Sequence, residues 1–346
     1  MRRRKKSTYR WPLKRKIIAS LCFIYIIGFS SFLFLFYGPF QGFRDFWITS
    51  AMTTMNHQYL ATWFYSENTI QEVLENNSII EVSEITNPDE IQFRKYTTTI
   101  YRNEYEKEIL QRDSDNDLYK MIPITGNGYH GFLVAIYDPS RIHIGLSSKI
   151  GTAGESILVV SKRENAVIAM NAGGFYDPDW NSNGALPHGT VIVNGKIVSQ
   201  FRGANMGGGF IGFTFDNKFI LGNMSAHEAL EMGMRDAIEF GPYLIVNGKR
   251  SFIRGNGGWG VAPRSAIGQR RDGIVLFLVI NGRSATSLGA DMVDLTDIME
   301  RYGAYNAANL DGGASSELVI NQKIVNSPVG GGEYGLRDMS TFWIVK

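Results

Sequence analysis

One short segment of the chain combines an acid, two glycines and two hydroxyl groups in a pattern that could support chemistry. It follows the apolar residues Ala307 and Ala308 and reads Asn309-Leu310-Asp311-Gly312-Gly313-Ala314-Ser315-Ser316. Glycine adopts backbone conformations that a β-carbon resists, and it lets a ligand approach the main chain closely. The pattern favours a site in which Asp311 supplies a carboxylate, although Asp-Gly is also an ordinary hairpin-turn sequence. The neighbours that we predict to contact a ligand are Gly312, Gly313, Ser315 and Ser316.

Two further segments carry polar groups next to predicted strands. Asn171-Ala172-Gly173-Gly174-Phe175 follows the strand Ala166–Met170. Its amide, flexible backbone and aromatic ring suit a sugar, so Asn171, Gly174 and Phe175 are candidate binding residues. Arg264 begins another predicted strand, and a guanidinium presents a planar fork that matches phosphate or carboxylate oxygens. The alternatives are a core position for Phe175 and a surface charge for Arg264.

These motifs, in this order, resemble the phosphodiester glycosidase family over about residues 120–346. The resemblance rests on the two segments around Asn171 and Asp311 and on four others, Gly189-Thr-Val-Ile, Gly241-Pro-Tyr-Leu with Asn247-Gly248, Arg264-Ser-Ala-Ile-Gly268 and Asn281-Gly-Arg283. Two positions depart from the family pattern. Ala314 stands where a third glycine is usual, and Asn281 stands where an aspartate is common, so Asn281 has no acid–base role here.

The resemblance implies hydrolysis of the bond between an anomeric sugar carbon and a phosphodiester oxygen. Arg264 would then grip the phosphate, and Asp311 would activate water or stabilise an oxocarbenium-like transition state. Asn171 and Ser315 would orient phosphate or sugar hydroxyls, and Asn281 and Arg283 would contact substrate. Glycosidases normally use two carboxylates. Glu239 is a candidate for the second, with a solvated glutamate at a strand end as the alternative.

The elements that position these residues are predicted to be mostly short strands after Leu118. Four segments place a β-branched run before an Asn-containing turn, at Asn194-Gly195, Asn247-Gly248, Asn281-Gly282 and Asn321-Gln322. Such runs into Asn-Gly are strong hairpin signals. Predicted helices are few, with the best at 152–165 and 291–302. The pattern indicates an α+β fold of mixed, strand-rich sheets with several hairpins and a few packed helices.

An apolar segment near the N-terminus predicts a single transmembrane helix. Residues 17–37, from Ile17 to Tyr37, hold no charge, and about 20 apolar residues span a bilayer. The first 16 residues carry nine Lys or Arg and no acid, so this tail should stay cytoplasmic and residues 118–346 should lie outside the cell membrane. A cleaved signal peptide is the alternative, but its apolar region is normally shorter. Residues 38–117 are predicted to form a partly helical stalk or linker.

Composition excludes several classes of function. Beyond residue 16 the chain has 26 basic against 33 acidic residues, which argues against a nucleic-acid partner. The one cysteine, Cys22, lies in the apolar segment, so no thiol nucleophile is expected outside the membrane. No cofactor is required by the predicted chemistry. Calcium is an alternative at Asp179, Asn181 and Asn183, but Thr190 replaces the glutamate that a calcium loop places at its twelfth position.

We therefore predict an anchored hydrolase that acts on sugar-1-phosphodiester bonds of cell-envelope or exopolysaccharide glycans. A glycan or sugar phosphate and the membrane are the expected partners. The alternative is a glycan-binding or polymer-export accessory protein without catalytic activity. A catalyst requires Arg264 and Asp311 in one cleft, whereas a binding module requires only aromatic rings and amides.

Overall fold

A computed structural model describes residues 11–54, 57–93, 100–112, 114, 117–177, 182–201 and 208–346. Its helices are α1 (Leu13–Tyr37), α2 (Gln41–Met52), α3 (Tyr59–Thr62), α4 (Glu67–Asn76), α5 (Glu104–Leu110), α6 (Ile157–Arg163), α7 (Ala226–Glu231) and α8 (Met292–Arg301). Its first strands are β1 (Ser78–Ile80), β2 (Tyr119–Gly126), β3 (Tyr129–Ile136), β4 (Ile142–Leu146), β5 (Ile168–Asn171), β6 (Gly189–Val193), β7 (Lys196–Phe201), β8 (Gly209–Thr214) and β9 (Phe219–Gly222). The remaining strands are β10 (Met234–Phe240), β11 (Tyr243–Val246), β12 (Lys249–Arg250), β13 (Phe252–Arg254), β14 (Arg264–Arg270), β15 (Val275–Ile280), β16 (Ala304–Asn309), β17 (Leu318–Ile320), β18 (Lys323–Ile324) and β19 (Thr341–Val345).

Three antiparallel sheets surround one apolar core. The largest has the order β12-β11-β16-β14-β15-β3-β2, and the other two are β7-β6-β10-β8-β9 and β18-β17-β5-β19-β4. Buried residues from all three, including Met170, Phe213, Phe277 and Trp343, form the shared core. The outer faces of the sheets are covered by α8, α7 and α6 respectively. The predicted α+β class with strand-rich sheets and few helices is confirmed.

The predicted hairpin turns form at three of the four positions. Asn194, Asn247 and Asn321 have φ values of 50°, 54° and 50°, and each links two paired strands. Asn281-Gly282 does not make such a turn, because β15 is followed by a loop and α8 instead of a partner strand. There the amide of Asn281 is used differently, since its Oδ1 accepts a hydrogen bond from Ser327 N at 2.7 Å.

The N-terminal part of the chain contains one helix that is long and apolar enough to cross a membrane, α1. This helix spans the predicted segment 17–37 and begins four residues earlier. Behind it, α2, α3 and α4 pack around Phe36 and Ile48. Residues 78–93 then lie along the sheets, where β1 pairs with β13 and Thr86 N donates to Leu221 O at 2.9 Å. The segment predicted as a stalk therefore makes specific contacts with the strand-rich region.

Strand ends from the three sheets meet at one end of the core. Asn309, which ends β16, pairs opposite Ala266 near the start of β14. Asn171, which ends β5, pairs opposite Phe342 near the start of β19. Asp311 N joins these two sheet ends by donating to Ala172 O at 3.2 Å. Residues that are more than 100 positions apart in sequence thus lie side by side.

Candidate active site

Asp311 lies just beyond the end of β16, at the meeting point of the sheets. Its Oδ1 accepts a hydrogen bond from Gly312 N at 3.0 Å. Burial among protein atoms raises the pKa of this carboxyl, and the nearby Ser315 hydroxyl, Arg337 and Arg264 oppose that shift. The residue as a whole keeps some solvent exposure, whereas its carboxyl group is surrounded by protein atoms. A partly desolvated carboxylate beside cations is suited to react with a substrate atom.

The two glycines after Asp311 leave space next to arginine side chains. A β-carbon at Gly312 would lie 3.0 Å from Pro263 O and 3.6 Å from Arg264 Nη1. Gly313 has a φ of 61°, and a β-carbon there would lie 3.1 Å from Arg283 Nη2. A side chain at Gly312 would press on Pro263 O, and the positive φ at Gly313 favours glycine. The motif therefore brings the Asp311 turn close to two cationic groups.

Asn171 is fully buried and holds the Asp311 turn in place. Its Nδ2 donates to Asp311 O at 2.7 Å, and its Oδ1 accepts from Ser265 Oγ at 2.7 Å and from Glu317 N at 3.2 Å. These bonds use both ends of the amide and connect β5, β14 and the residues before β17. This geometry supports a positioning role for Asn171, and its expected contact with substrate stays a prediction.

Arg264 is 4% exposed and is held by main-chain carbonyls. Its Nε donates to Ala290 O at 3.2 Å, and its Nη2 donates to Gly260 O at 2.7 Å and also to Trp259 O. Burial lowers the pKa of this guanidinium to about 10, so it remains a cation at neutral pH. The third nitrogen, Nη1, is the one nearest Gly312. Because the carbonyls fix the other two nitrogens, Nη1 is aimed at the Asp311 turn.

Two more arginines surround the same turn. Arg283, which was expected from the sequence, lies beside Gly313. Burial lowers the pKa of Arg283, and the charge of Arg337 lowers it further. Arg337 was not anticipated from the sequence. Its guanidinium lies 4.5 Å from the centre of the Phe175 ring and forms an ion pair with Asp177. Its charge acts on Asp311, Arg283 and Glu317, so it connects the groups of this site.

Glu317 is a second carboxylate that sequence reasoning overlooked, although it directly follows Ser316. It is fully buried, and its Oε1 accepts from Arg337 N at 2.6 Å. Its Oε2 has no hydrogen-bond partner among the described residues. Burial raises the pKa of the Glu317 carboxyl to about 8, against the opposing contacts of Arg337. This carboxyl is therefore mostly protonated at neutral pH.

The raised pKa of Glu317 predicts a pH-dependent gain in stability for Glu317→Gln. The folded wild-type chain binds this proton more tightly than the unfolded chain, so its stability falls as pH rises from about 4.5 through about 8. The variant lacks this loss. Its advantage should be absent near pH 4 and reach at most on the order of 5 kcal/mol above pH 8. Urea unfolding of both chains at each pH measures this difference, and an advantage independent of pH would contradict the assignment.

The remaining predicted residues lie at the same end of the fold but have separate partners. Glu239 is the last residue but one of β10 and packs against Gly189, whose φ is 66°. A β-carbon at Gly174 would lie 3.4 Å from His188 Nδ1 and 2.9 Å from the Phe240 ring. Burial lowers the pKa of His188 to about 4, so this imidazole, which the sequence did not single out, is neutral at pH 7.

Ser315 and Ser316 are both buried, and their hydroxyl groups have no hydrogen-bond acceptor or donor at bonding geometry among the described residues. The Ser315 hydroxyl nevertheless lies close enough to Asp311 to lower the pKa of that carboxyl. Asn281 is 3% exposed and bonded to Ser327 N. Its amide therefore holds the loop at Ser327, and no contact among the described residues joins this amide to Asp311.

The possible calcium loop is only partly covered. Asp179 and Asn181 lie outside the described residues, and Asn183 Nδ2 donates to Thr152 O at 2.8 Å. Within the described ranges, no group of three or more His, Cys, Asp or Glu side chains is arranged to hold a metal ion.

Comparison with known proteins agrees with the resemblance expected from the motifs. The model of the phosphodiester glycosidase family matches residues 164–346. A curated relative is the SPbeta prophage-derived uncharacterized protein YomE of Bacillus subtilis (strain 168), 30% identical over 212 residues. That match covers 59% of this chain but 31% of the relative, so the chain spans about a third of that protein's length.

The fold is similar to the catalytic domain of zebrafish N-acetylglucosamine-1-phosphodiester alpha-N-acetylglucosaminidase, solved in a form auto-inhibited by its pro-peptide. The TM-score is 0.54 at 19% identity, and the match covers 67% of this chain and 84% of the zebrafish chain. At that identity the likeness is one of fold. Because the family model covers more than half of the sequence and contains both the Asp311 and Arg264 motifs, the chain belongs to the phosphodiester glycosidase family.

Proposed function

We propose that this chain hydrolyses sugar-1-phosphodiesters, with Asp311 facing the anomeric carbon and Arg264 holding the phosphate. The observation that carries the proposal is that Asp311 and Arg264 are close enough to act on each other's pKa, while three carbonyl groups fix the Arg264 guanidinium. A binding module for neutral sugars does not need a cation held in this way. Family membership supports the same class of reaction.

The reaction breaks the bond between the anomeric carbon and the phosphodiester oxygen. Water supplies a hydroxyl group to the sugar and a proton to the buffer, and the phosphate leaves as a monoester anion. Arg264 and Arg283 stabilise the charge on that leaving group as the bond lengthens. A phosphate monoester leaves readily without strong protonation, so charge neutralisation is the main demand. Asp311 stabilises the positive charge that develops on the sugar carbon.

The N-terminal helix supports a location at a membrane. With α1 as a single-pass anchor and the basic tail in the cytoplasm, the strand-rich region would face the outside of the cell membrane. Glycans of the cell envelope and exopolysaccharides that carry sugar-1-phosphate links would then be within reach. Neutral His188, which lies next to Gly174, and Phe175, whose ring lies beside Arg337, would contact the sugar.

The direct test uses the full chain in detergent with methyl phosphodiesters of sugar-1-phosphates as substrates. N-Acetylglucosamine, glucose and galactose compounds of each anomer should be compared, and free sugar should be measured by NMR. Hydrolysis of at least one compound is expected, and the anomer released first distinguishes retention from inversion. Binding of these compounds without any hydrolysis would contradict the proposal and favour the glycan-binding alternative.

A further inference from the structure

The loop 255–261 lies between the candidate site and the helices that follow α1. On the site side, its carbonyls at Trp259 and Gly260 accept hydrogen bonds from Arg264 Nη2. These are two of the three main-chain contacts that orient this guanidinium. Any displacement of the loop would therefore change the direction of Arg264 Nη1 relative to Asp311.

On its other side, the same loop is held by α2 and by the residue after α4. Ser50 Oγ accepts a hydrogen bond from Val261 N at 3.1 Å. Thr49 Oγ1 accepts from Asn256 Nδ2 at 2.8 Å, and Asn77 Oδ1 accepts from Asn256 N at 3.0 Å. Main-chain donors of the loop are thus satisfied by side chains about 180 to 210 positions earlier in the sequence. A buried main-chain group without such a partner is costly, so these contacts specify the loop position.

The glycines of the loop show how closely the two parts fit. Gly260 has a φ of 60°, and a β-carbon there would lie 2.5 Å from Ser50 Cα. Gly258 has a φ of 77°, and its β-carbon would lie 2.3 Å from Asn77 O. At both positions the left-handed backbone and the close approach require glycine. The surfaces of α2 and the loop are therefore in direct main-chain contact.

We propose that the helices of residues 41–77 position Arg264 through the loop 255–261, and that Ser50 is a positioning residue for hydrolysis. Ser50 does not contact substrate. It fixes Val261, and with it the carbonyls of Trp259 and Gly260 that aim the guanidinium. The inference rests on the proposed role of Arg264. It also gives the segment next to the membrane helix a part in the activity, although that segment lies outside residues 164–346 matched by the family model.

The test compares Ser50→Ala with Thr53→Val in the full chain. Both changes remove one hydroxyl from the same stretch, but the Thr53 hydroxyl bonds only to carbonyls of its own helix, at Thr49 and Ser50. Ser50→Ala should lower kcat/KM for the methyl phosphodiester substrate about 3- to 10-fold, mainly through a higher KM, because loss of one such bond changes an equilibrium by about that factor. Thr53→Val should match the wild type.

A double-mutant cycle separates positioning from a general loss of stability. In an Arg264→Lys background, Ser50→Ala should have little further effect on kcat/KM, because the guanidinium that it positions is already gone. An equal effect in both backgrounds, or wild-type kinetics for Ser50→Ala, would overturn the inference.

Hydrogen exchange gives a readout that does not depend on activity. The Val261 amide should exchange faster in Ser50→Ala than in the wild type and Thr53→Val, and unchanged exchange would also overturn the inference. If the wild-type chain hydrolyses no phosphodiester, the proposed function fails, while the exchange rate still decides whether Ser50 holds the loop.

Discussion

Asp311→Asn should reduce kcat for sugar-1-phosphodiester hydrolysis by about 10²–10⁴-fold while leaving the protein folded. The amide keeps an oxygen that can accept the hydrogen bond from Gly312 N, so the turn is preserved. It cannot stabilise positive charge on the sugar carbon as a carboxylate does. Steady-state kinetics together with thermal unfolding by circular dichroism measure both quantities.

Because the pKa of Asp311 is raised, Asp311→Asn should lose activity without losing stability. Burial raises the pKa of this carboxyl, so the charged form destabilises the fold as pH rises through that pKa. The asparagine variant should therefore be as stable as the wild type, or more stable, at neutral pH. In the wild type, activity should fall on the acid side at a pH above the ordinary value of 3.8 for an aspartate.

A matched control is Asp216→Asn, which changes an exposed acid in the turn between β8 and β9. This variant should keep wild-type kinetics. Wild-type kcat in Asp311→Asn would remove Asp311 from the proposed reaction.

Arg264→Lys should lower kcat/KM by about 100-fold, through both a lower kcat and a higher KM. The guanidinium spans the carbonyls of Ala290, Trp259 and Gly260 and still presents Nη1 to the site. A lysine keeps the charge, but one nitrogen cannot make those contacts and also bind a phosphate in a planar, two-point geometry. Inhibition by inorganic phosphate should weaken in parallel, which a competition assay measures.

The control for this change is Arg254→Lys, at an exposed arginine of β13 whose guanidinium lies near the Phe252 ring. Since none of the contacts of Arg254 in the described part of the chain involves the Asp311 turn, kinetics should be unchanged. If Arg264→Lys left both kcat/KM and phosphate inhibition at wild-type values, Arg264 would not be the phosphate-binding group.

Local sequence patterns predicted the parts of the fold that depend on neighbouring residues. The turns at Asn194 and Asn247 form because both central positions adopt positive φ, which asparagine and glycine tolerate. The turn at Asn321 has the same form, although its second position is Gln322, with a φ of 64°. Helix α8 lies within the predicted 291–302, where Asp291 caps its first turn. Asn281 has the same local pattern, but its side chain accepts a hydrogen bond from Ser327 N, 46 positions away. No local rule could anticipate that competition.

The candidate site was only partly accessible from the sequence for the same reason. Motifs singled out Asp311, Arg264 and Arg283, and the structure places all three around the same turn. Arg337 and Glu317 were missed because each is significant only through its neighbours in space. Arg337 matters because of its effect on Asp311, and Glu317 matters because complete burial raises its pKa. The sequence around a single charged residue does not show which groups will surround that residue in the folded chain.

The sequence by itself determined the family, the strand-rich fold class and the apolar N-terminal helix, and it selected Asp311 and Arg264 as the candidate acid and arginine. These follow from short motifs and from hydrophobic length, which are local properties of the chain. Tertiary structure decided which groups surround the Asp311 turn, that Asn171 holds this turn, and that Ser50 bonds to the loop that contacts Arg264. The hydrogen bonds of Asn171 and Ser50 join residues more than 100 positions apart, and they exist only because folding brings strand ends and helix α2 next to distant loops.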